Sequence, residues 1–201
     1  MSSHLLRTDV VMGQNIEKYL NDLAKLRIEV FKDYPYLYDG NLDYESNYLA
    51  KYCKDRKSIA VIVKDGDRIV GASTAMPLSS EHEEFKLPFK NSGIDINDVY
   101  YLAESVLLPE YRGRGLGHRF FDFRESHASA LRFSITAFCA VERPTDHPSA
   151  PADYSPLDEF WKSRGYRKSP LTSEFKWKEI GESEESPKTM RFWLKSTNKD
   201  F

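Results

Sequence analysis

Apolar residues recur along this chain at two spacings, and each spacing predicts a different kind of element. Steps of three and four residues place side chains on one face of a helix, and they predict helices over residues 16–31, 44–54, 116–131 and 157–164. Short apolar runs rich in β-branched and aromatic residues predict strands. These strands span residues 5–11, 58–64, 68–76, 100–108, 132–141, 172–180 and 188–195. The order β-α-α-β-β-β-α-β-α-β-β predicts a mixed α/β fold in a single domain over residues 1–201.

Turn residues sharpen this outline. Asp65-Gly66-Asp67 separates two strands and predicts an antiparallel hairpin. The polar segment 79–95 contains proline and glycine, so we expect a loop or an irregular helix there. Residues 181–187 join the last two strands into a second hairpin, whose exposed strands could pair across a homodimer.

Composition and charge exclude several classes of protein. The 29 basic and 31 acidic residues leave a net charge of −2, which gives no general attraction to nucleic acid or to an anionic membrane. No apolar run approaches the ~18 residues of a membrane helix, and the first nine residues lack a secretory apolar core. Cys53 and Cys139 lie far apart, which fits a reducing compartment, so we expect a cytoplasmic protein. The five histidines lack the spacing of metal ligands, so we expect no metal site.

The strongest local motif is a glycine-rich segment between a predicted strand and a predicted helix. Gly113, Gly115 and Gly117 alternate with Arg114 and Leu116. Glycine permits positive φ and close approach of a ligand, and the helix that follows offers free N–H groups to an anion such as phosphate. The segment lacks the lysine of a Walker A loop, and its third glycine falls one place early for a dinucleotide fingerprint. A turn without a ligand also remains open.

Residues 112–117, Arg-Gly-Arg-Gly-Leu-Gly, match the [QR]-x-x-G-x-[GA] motif and resemble the GNAT-type N-acetyltransferases. The preceding strand at residues 101–111 is similar to the lead-in of that motif. Residues 160–166, Phe-Trp-Lys-Ser-Arg-Gly-Tyr, resemble the second signature of the family. The motifs cover residues 100–166, and the order of elements extends the resemblance to residues 5–194.

The resemblance implies a GNAT-like fold and acetyl-CoA as cofactor. A central mixed, mostly antiparallel sheet would be flanked by helices, and the strand carrying Val106 would splay from the strand at 133–141 to form the cofactor cleft. The N–H groups of residues 114–118 would hold the pyrophosphate, and Val106 and Leu108 would hydrogen-bond the pantetheine arm. The positions that the resemblance assigns to the cofactor are Val106, Leu107, Leu108, Arg112, Gly113, Arg114, Gly115, Leu116, Gly117 and His118.

Acetyl transfer to an ammonium requires a general base, and the departing thiolate benefits from an acid. Glu104 is the candidate base because it lies where many relatives carry an acidic residue; alternatively it only pairs with a cation or binds substrate. Glu104 and Val106 share strand parity, so a bulge would decide where the carboxylate points. Trp161 occupies the usual position of the acidic tyrosine. Tyr154 is the substitute candidate; the favoured alternative is that Tyr154 only packs in the proline-rich loop, and water may then serve as the acid.

Candidate acceptor residues follow the first helix. Tyr34 and Tyr36 could stack on a cation, and Asp39 could pair with an amine, or all three could be ordinary core and surface residues. The leading hypothesis is an acetyl-CoA-dependent N-acetyltransferase that acts on a primary amine of a small molecule or peptide. A non-catalytic acyl-CoA-binding or sensor domain and a nucleotide-binding domain of another class are the alternatives.

Overall fold

The computed structural model of the protein describes residues 5–197, and residues 1–4 and 198–201 of the predicted domain lie outside the described residues. Five α-helices and eight strands are present among these residues. The helices are α1 Leu20–Phe31, α2 Leu42–Lys54, α3 Glu83–Ser92, α4 Leu116–Ala130 and α5 Asp158–Ser163. The strands are β1 Arg7–Met12, β2 Ile59–Asp65, β3 Arg68–Pro77, β4 Val99–Tyr101, β5 Ser105–Leu107, β6 Ile135–Val141, β7 Arg167–Trp177 and β8 Ser186–Ser196.

All eight strands belong to one sheet, in the order β1-β2-β3-β4-β6-β8-β7, with β5 also paired to β3. Every pairing is antiparallel except that of β4 with β6, which is parallel. The prediction of a mixed, mostly antiparallel sheet with flanking helices is therefore confirmed. Strand β2 has five consecutive buried residues because helices cover both faces of the sheet there. Strand β7 lies at the edge, where we expected pairing in a homodimer.

Helix α2 shows how the sequence specifies one of these elements. Asn41 caps it by accepting a hydrogen bond from the Tyr44 N–H at 3.0 Å, and one face buries Glu45, Leu49 and Tyr52 at steps of four and three residues. A charged residue thus lies on a face that is otherwise apolar or aromatic. That exception becomes important at the candidate active site.

Two helical segments differ from their predictions. Residues 13–19 form a 3₁₀ turn before α1, whereas we predicted a helix from residue 16. The segment 79–95 contains a regular helix, α3, which buries Phe85 and Phe89. Pro88 lies inside that helix without an N–H for the Glu84 carbonyl, and the Ser173 hydroxyl donates to that carbonyl instead at 2.7 Å. A partner from β7 therefore makes this proline tolerable.

The last hairpin is longer than predicted. Strand β7 begins at Arg167, five residues before the predicted start, and its register against β8 shifts between Lys168 and Thr172. Pro170 falls within that irregular stretch. Proline is tolerated at an edge strand because the missing N–H breaks no ladder inside the sheet.

Candidate active site

The predicted strand at residues 100–108 is divided into β4 and β5, and the division opens a cleft. Strand β4 pairs with β6 as far as Tyr101 and Ala137, and the Leu102 N–H donates to the Ala137 carbonyl at 2.7 Å. Beyond that point β5 pairs only with β3, while β6 continues beside β8 as far as Val141. Strands β5 and β6 therefore diverge, as the splay expected at this position requires.

A β-bulge causes the division. The Thr74 carbonyl on β3 accepts from the Ala103 N–H at 3.0 Å, and the Thr74 N–H donates to the Glu104 carbonyl at 3.1 Å. Ala103 and Glu104 thus both lie opposite Thr74. This extra residue shifts by one place the alternation of side chains between the two faces of the sheet. Tyr101 and Glu104 consequently lie on the same face of the sheet, and Ser105 points to the other. Glu104 and Val106 lie on the same face, because the strand alternates regularly from Glu104 onward.

Glu104 is buried in contact with the first two helices. Its carboxylate is 6 % exposed, and Oε2 lies 3.0 Å from Arg27 Nη1 on α1 and 3.4 Å from the Tyr52 hydroxyl on α2. Its second oxygen, Oε1, is buried without a hydrogen-bond partner among the described residues. An unsatisfied buried carboxylate oxygen is costly, so this oxygen is suited to a donor supplied by a ligand or by water.

Glu104 belongs to a buried cluster of charged side chains. Arg27 also pairs with Glu45 at 2.5 Å, and nearby Lys51 pairs with Glu81 at 2.6 Å; the three carboxylates are all at least nine-tenths buried. Burial alone would lower the pKa of Arg27, but Glu104 and Glu45 raise it well above its usual range. For Lys51, burial outweighs the carboxylates and lowers the pKa. Glu104 and Glu45 therefore share one guanidinium, and Oε1 of Glu104 is left without a hydrogen-bond partner among the described residues.

The glycine-rich loop lies at the other end of β5 and leads into α4. Gly113 and Gly115 have φ of +73° and +75°, and a Cβ added at either would meet nothing within 4 Å. Gly115 caps α4 without a side-chain hydrogen bond. The first N–H groups of that helix, at Leu116, Gly117 and His118, therefore face open space. Glycines in a left-handed conformation, open space and free N–H groups together form a cradle for an anion.

The model of the acetyltransferase (GNAT) family matches residues 20–152, which is most of the chain and includes Glu104 and the glycine-rich loop. The chain belongs to the GNAT acetyltransferase family. Members of this family use acetyl-CoA as the acetyl donor. No curated protein matches the sequence.

Solved structures agree with this fold at low sequence identity. A ribosomal-protein-alanine N-acetyltransferase from Brucella melitensis is similar with a TM-score of 0.60 and 12% identity, covering 96% of this chain and 99% of that one. NAA60 from Arabidopsis thaliana, in complex with a bisubstrate analogue, has a TM-score of 0.60, 11% identity and coverage of 96% and 100%. The yncA protein from Salmonella typhimurium, with its cofactor acetyl-CoA, has a TM-score of 0.58, 8% identity and coverage of 96% and 95%. At these identities the likeness concerns the fold alone.

The GNAT cofactor fits the cradle and the diverging strands, with one correction to the predicted contacts. The Leu108 N–H donates to the Val70 carbonyl of β3 at 3.0 Å, and the Leu108 carbonyl accepts from the Tyr111 N–H. Val106 lies two residues before Leu108 on the same strand, so its N–H and carbonyl also face β3. The prediction that Val106 and Leu108 hydrogen-bond pantetheine is therefore wrong. The polar backbone groups of Ser105 and Leu107 face the cleft instead.

The side chains of the glycine-rich loop support the loop itself. Arg112 Nε donates to the Leu107 carbonyl at 3.2 Å, and Arg114 Nη2 donates to the Glu110 carbonyl at 2.8 Å. The His118 ring packs against Phe160 of α5 at 4.8 Å between ring centroids. These three side chains thus have partners within the protein, whereas the N–H groups of residues 116–118 have none among the described residues.

The predicted acceptor residues lie in different environments. Tyr36 packs between Phe31 and Trp177, with ring centroids 4.5 and 6.0 Å away, and burial raises the pKa of its hydroxyl. Tyr34 packs instead against Tyr154 in the proline-rich loop, at 4.6 Å between ring centroids. Asp39 is exposed to solvent, and its carboxylate pairs with Lys178 at 2.9 Å.

The two aromatic candidates for the acid position have different environments. Trp161 packs against Phe138 and Trp193, with ring centroids 5.0 and 5.1 Å away, as part of the core. Tyr154 is 38 % exposed, and burial of part of its ring raises the pKa of its hydroxyl. Tyr154 thus keeps its proton at neutral pH and is accessible to solvent, whereas Trp161 has a packing role.

Sequence reasoning missed Arg27, Glu45, Tyr52 and Ser105. A signal for the charged pair existed: Arg27 follows Leu20 and Leu23 at helical steps, so it lies on the apolar face of its helix. Charged residues at such positions need buried partners. Residues 5–197 contain no helix with the length and apolar character of a membrane span, and no group of His, Cys, Asp or Glu arranged to hold a metal ion.

Proposed function

We propose that this GNAT protein is an acetyl-CoA-dependent N-acetyltransferase that acts on a primary amine of a small molecule or peptide, with Glu104 as the general base. The observation that carries the proposal is the unpartnered Glu104 oxygen, buried where β5 diverges from β6. An acceptor ammonium would donate a hydrogen bond to that oxygen.

In the proposed reaction, one set of residues binds the cofactor and another transfers protons. The N–H groups of residues 116–118 hold the cofactor pyrophosphate, and the polar backbone of Ser105 and Leu107 aligns its pantetheine arm. Acetyl-CoA supplies the acetyl group as an activated thioester. Arg27 and Tyr52 fix one oxygen of Glu104, so that the other removes the proton from the acceptor ammonium, whose pKa is ~10.4 when free. The neutral amine then attacks the thioester carbonyl, and Tyr154 is the candidate acid for the leaving thiolate.

The proposed acceptor residues are Tyr34 and Tyr36, whose rings would contact a cationic acceptor, and Asp39, whose carboxylate would pair with its amine. Both cysteines are free, which supports a cytoplasmic location, and the edge strand β7 supports a homodimer through the last hairpin.

Thermal unfolding with acetyl-CoA, ATP or NAD tests the proposal. A ligand at ~100 times its dissociation constant stabilises by about 2.7 kcal/mol, which should raise the midpoint by roughly 5–11 °C. We expect a shift with acetyl-CoA alone, followed by thiol release with a panel of primary amines and none with the matching alcohols.

A different result would change the assignment. A shift with ATP or NAD but not with acetyl-CoA would refute the cofactor assignment. Binding of acetyl-CoA without thiol release over the panel would favour the sensor domain, which Trp161 at the usual position of the acid also favours.

A further inference from the structure

Arg124 on α4 is a buried cation with an unusual set of partners. Its side chain is 1 % exposed, and it donates four hydrogen bonds to neutral oxygens. These are the carbonyls of Phe120 at 3.0 Å, Thr74 at 3.2 Å and Glu104 at 3.2 Å, and the Ser105 hydroxyl at 2.7 Å. None is a carboxylate, and desolvation lowers the pKa of Arg124 to about 10. Buried arginines are normally paired with acids, because burial of an uncompensated charge is costly.

Three of the four partners belong to the bulge. Nη1 bridges the carbonyls of Thr74 and Glu104, the two residues whose backbones meet there, and Nη2 holds the side chain of the next residue, Ser105. A leucine or methionine would pack on the same face of α4 without the cost of desolvation. The positive charge is therefore placed where it fixes the bulge opposite Thr74.

Ser105 is held in a way that leaves its proton available. Its oxygen accepts from Arg124, so the hydroxyl proton is free to donate elsewhere. Ser105 is exposed, and it lies on the strand that borders the open cleft, with its side chain on the α4 face. Glu104 points to the opposite face, toward α1 and α2. The bulge thus places an acceptor of protons on one side of the cleft and a hydrogen-bond donor on the other.

We propose that Arg124 is a positioning residue that fixes the bulge, and that through it the Ser105 hydroxyl donates a hydrogen bond to the sulfur of acetyl-CoA. This rests on the proposed function. In the transfer step the amine nitrogen bonds to the acetyl carbon, the carbon–sulfur bond breaks, and its electron pair stays on sulfur. Glu104 takes the first proton from the ammonium before the attack, and the second proton leaves nitrogen as the amide forms and neutralises the thiolate. Until then the thiolate accepts the hydrogen bond of Ser105.

Four variants test the proposal: Arg124→Met, Arg124→Lys, Ser105→Ala and, as a matched control on an exposed strand position, Arg167→Met. Removal of one preorganised donor typically lowers kcat by about 10²–10³. We expect Ser105→Ala to lower kcat at least about tenfold with little change in the acceptor KM. Its unfolding midpoint should fall by roughly 2–12 °C, because Nη2 of the buried Arg124 loses its acceptor and an unsatisfied buried donor costs about 1–3 kcal/mol. Arg124→Lys should recover part of the activity that Arg124→Met loses, and Arg167→Met should behave as wild type.

A second readout does not depend on turnover. The ultraviolet absorbance of the thiolate reports the pKa of the thiol of bound CoA, and loss of the Ser105 donor should raise that pKa by about 1, a tenfold change in the equilibrium. Even if Arg124→Met does not fold, Ser105→Ala and Arg124→Lys decide the question. Wild-type kcat and an unchanged thiol pKa in both would overturn this proposal alone. Failure of the wild-type protein to bind acetyl-CoA would overturn it together with the proposed function.

Discussion

Replacement of Glu104 by glutamine separates catalysis from stability, provided that Glu45→Gln is measured beside it. Both carboxylates are buried and pair with the same guanidinium, at 3.0 Å for Glu104 and 2.5 Å for Glu45. Only Glu104 lies at the bulge, with an unpartnered oxygen. The two substitutions therefore remove similar ion pairs from Arg27, but only one of them removes the proposed base.

The structure sets the size of the stability effect. Loss of one partner from a buried pair costs about 3–5 kcal/mol, and Arg27 keeps a second carboxylate in either variant, so the lower end applies. For a chain of this size about 3 kcal/mol lowers the unfolding midpoint by roughly 6–12 °C. We expect this loss in both variants, as measured by calorimetry.

The catalytic effect should differ between the two variants. A general base contributes about 10²–10⁴-fold, so Glu104→Gln should lose that much of kcat/KM near neutral pH, whereas Glu45→Gln should lose little. Without a base the reaction depends on amine that is already neutral, about one molecule in a thousand near pH ~7.4 when the amine pKa is ~10.4. Activity of Glu104→Gln in a thiol-release assay should therefore rise about tenfold for each pH unit up to ~10. Equal activity of the two variants at neutral pH would refute the role of Glu104 as base.

Three further predictions address other parts of the molecule. Gly115→Asp should weaken acetyl-CoA binding at least about tenfold, since φ is +75° and the cradle holds an anion, whereas Gly93→Asp, with φ of +78° at the end of α3, should lose similar stability and keep its affinity in calorimetric titrations. A backbone N–H donated by Glu179 lowers the pKa of Glu182 to about 2, from 4.5, so its contribution to stability is complete above pH 4.5 and disappears toward pH 2. Glu182→Gln should flatten the dependence of the unfolding midpoint on pH in that window; a slope equal to that of wild type would contradict this. Tyr154→Phe should lower kcat about tenfold or more if the hydroxyl is the acid, and wild-type kcat would eliminate it.

Local patterns were sufficient to predict the order of elements and the anion cradle. The hairpin at Gly66, the helix after Gly115 and the buried strand β2 each follow from residues close together in sequence. The family motif also lies in one such stretch, so it indicates the cofactor without reference to the fold. Helix α3 could not be predicted in this way. Pro88 disfavours a helix unless another group donates to the Glu84 carbonyl, and the donor, Ser173, lies 85 residues after Pro88 in the chain.

The bulge could not be predicted, because it depends on which residue of β3 opposes Glu104. Thr74 lies 30 residues earlier, and nothing in residues 100–108 indicates that it opposes two residues rather than one. A regular strand would have placed Tyr101 and Glu104 on opposite faces. The prediction of pantetheine contacts at Val106 and Leu108 was wrong for a related reason. The alternation of residues along a strand does not show which backbone N–H and carbonyl groups face β3 and which face the cleft.

The same bulge links the three parts of the proposed reaction. Pairing of β4 with β6 ends there, which opens the cleft; the shift in parity turns Glu104 toward α1 and α2; and the next residue, Ser105, turns toward α4. Each consequence follows from one extra residue opposite Thr74, so a change that removed the bulge would close the cleft and reverse both side chains together. A feature with such consequences needs a strong restraint. Four hydrogen bonds from a fully buried arginine provide one, at a cost in desolvation that packing alone does not explain.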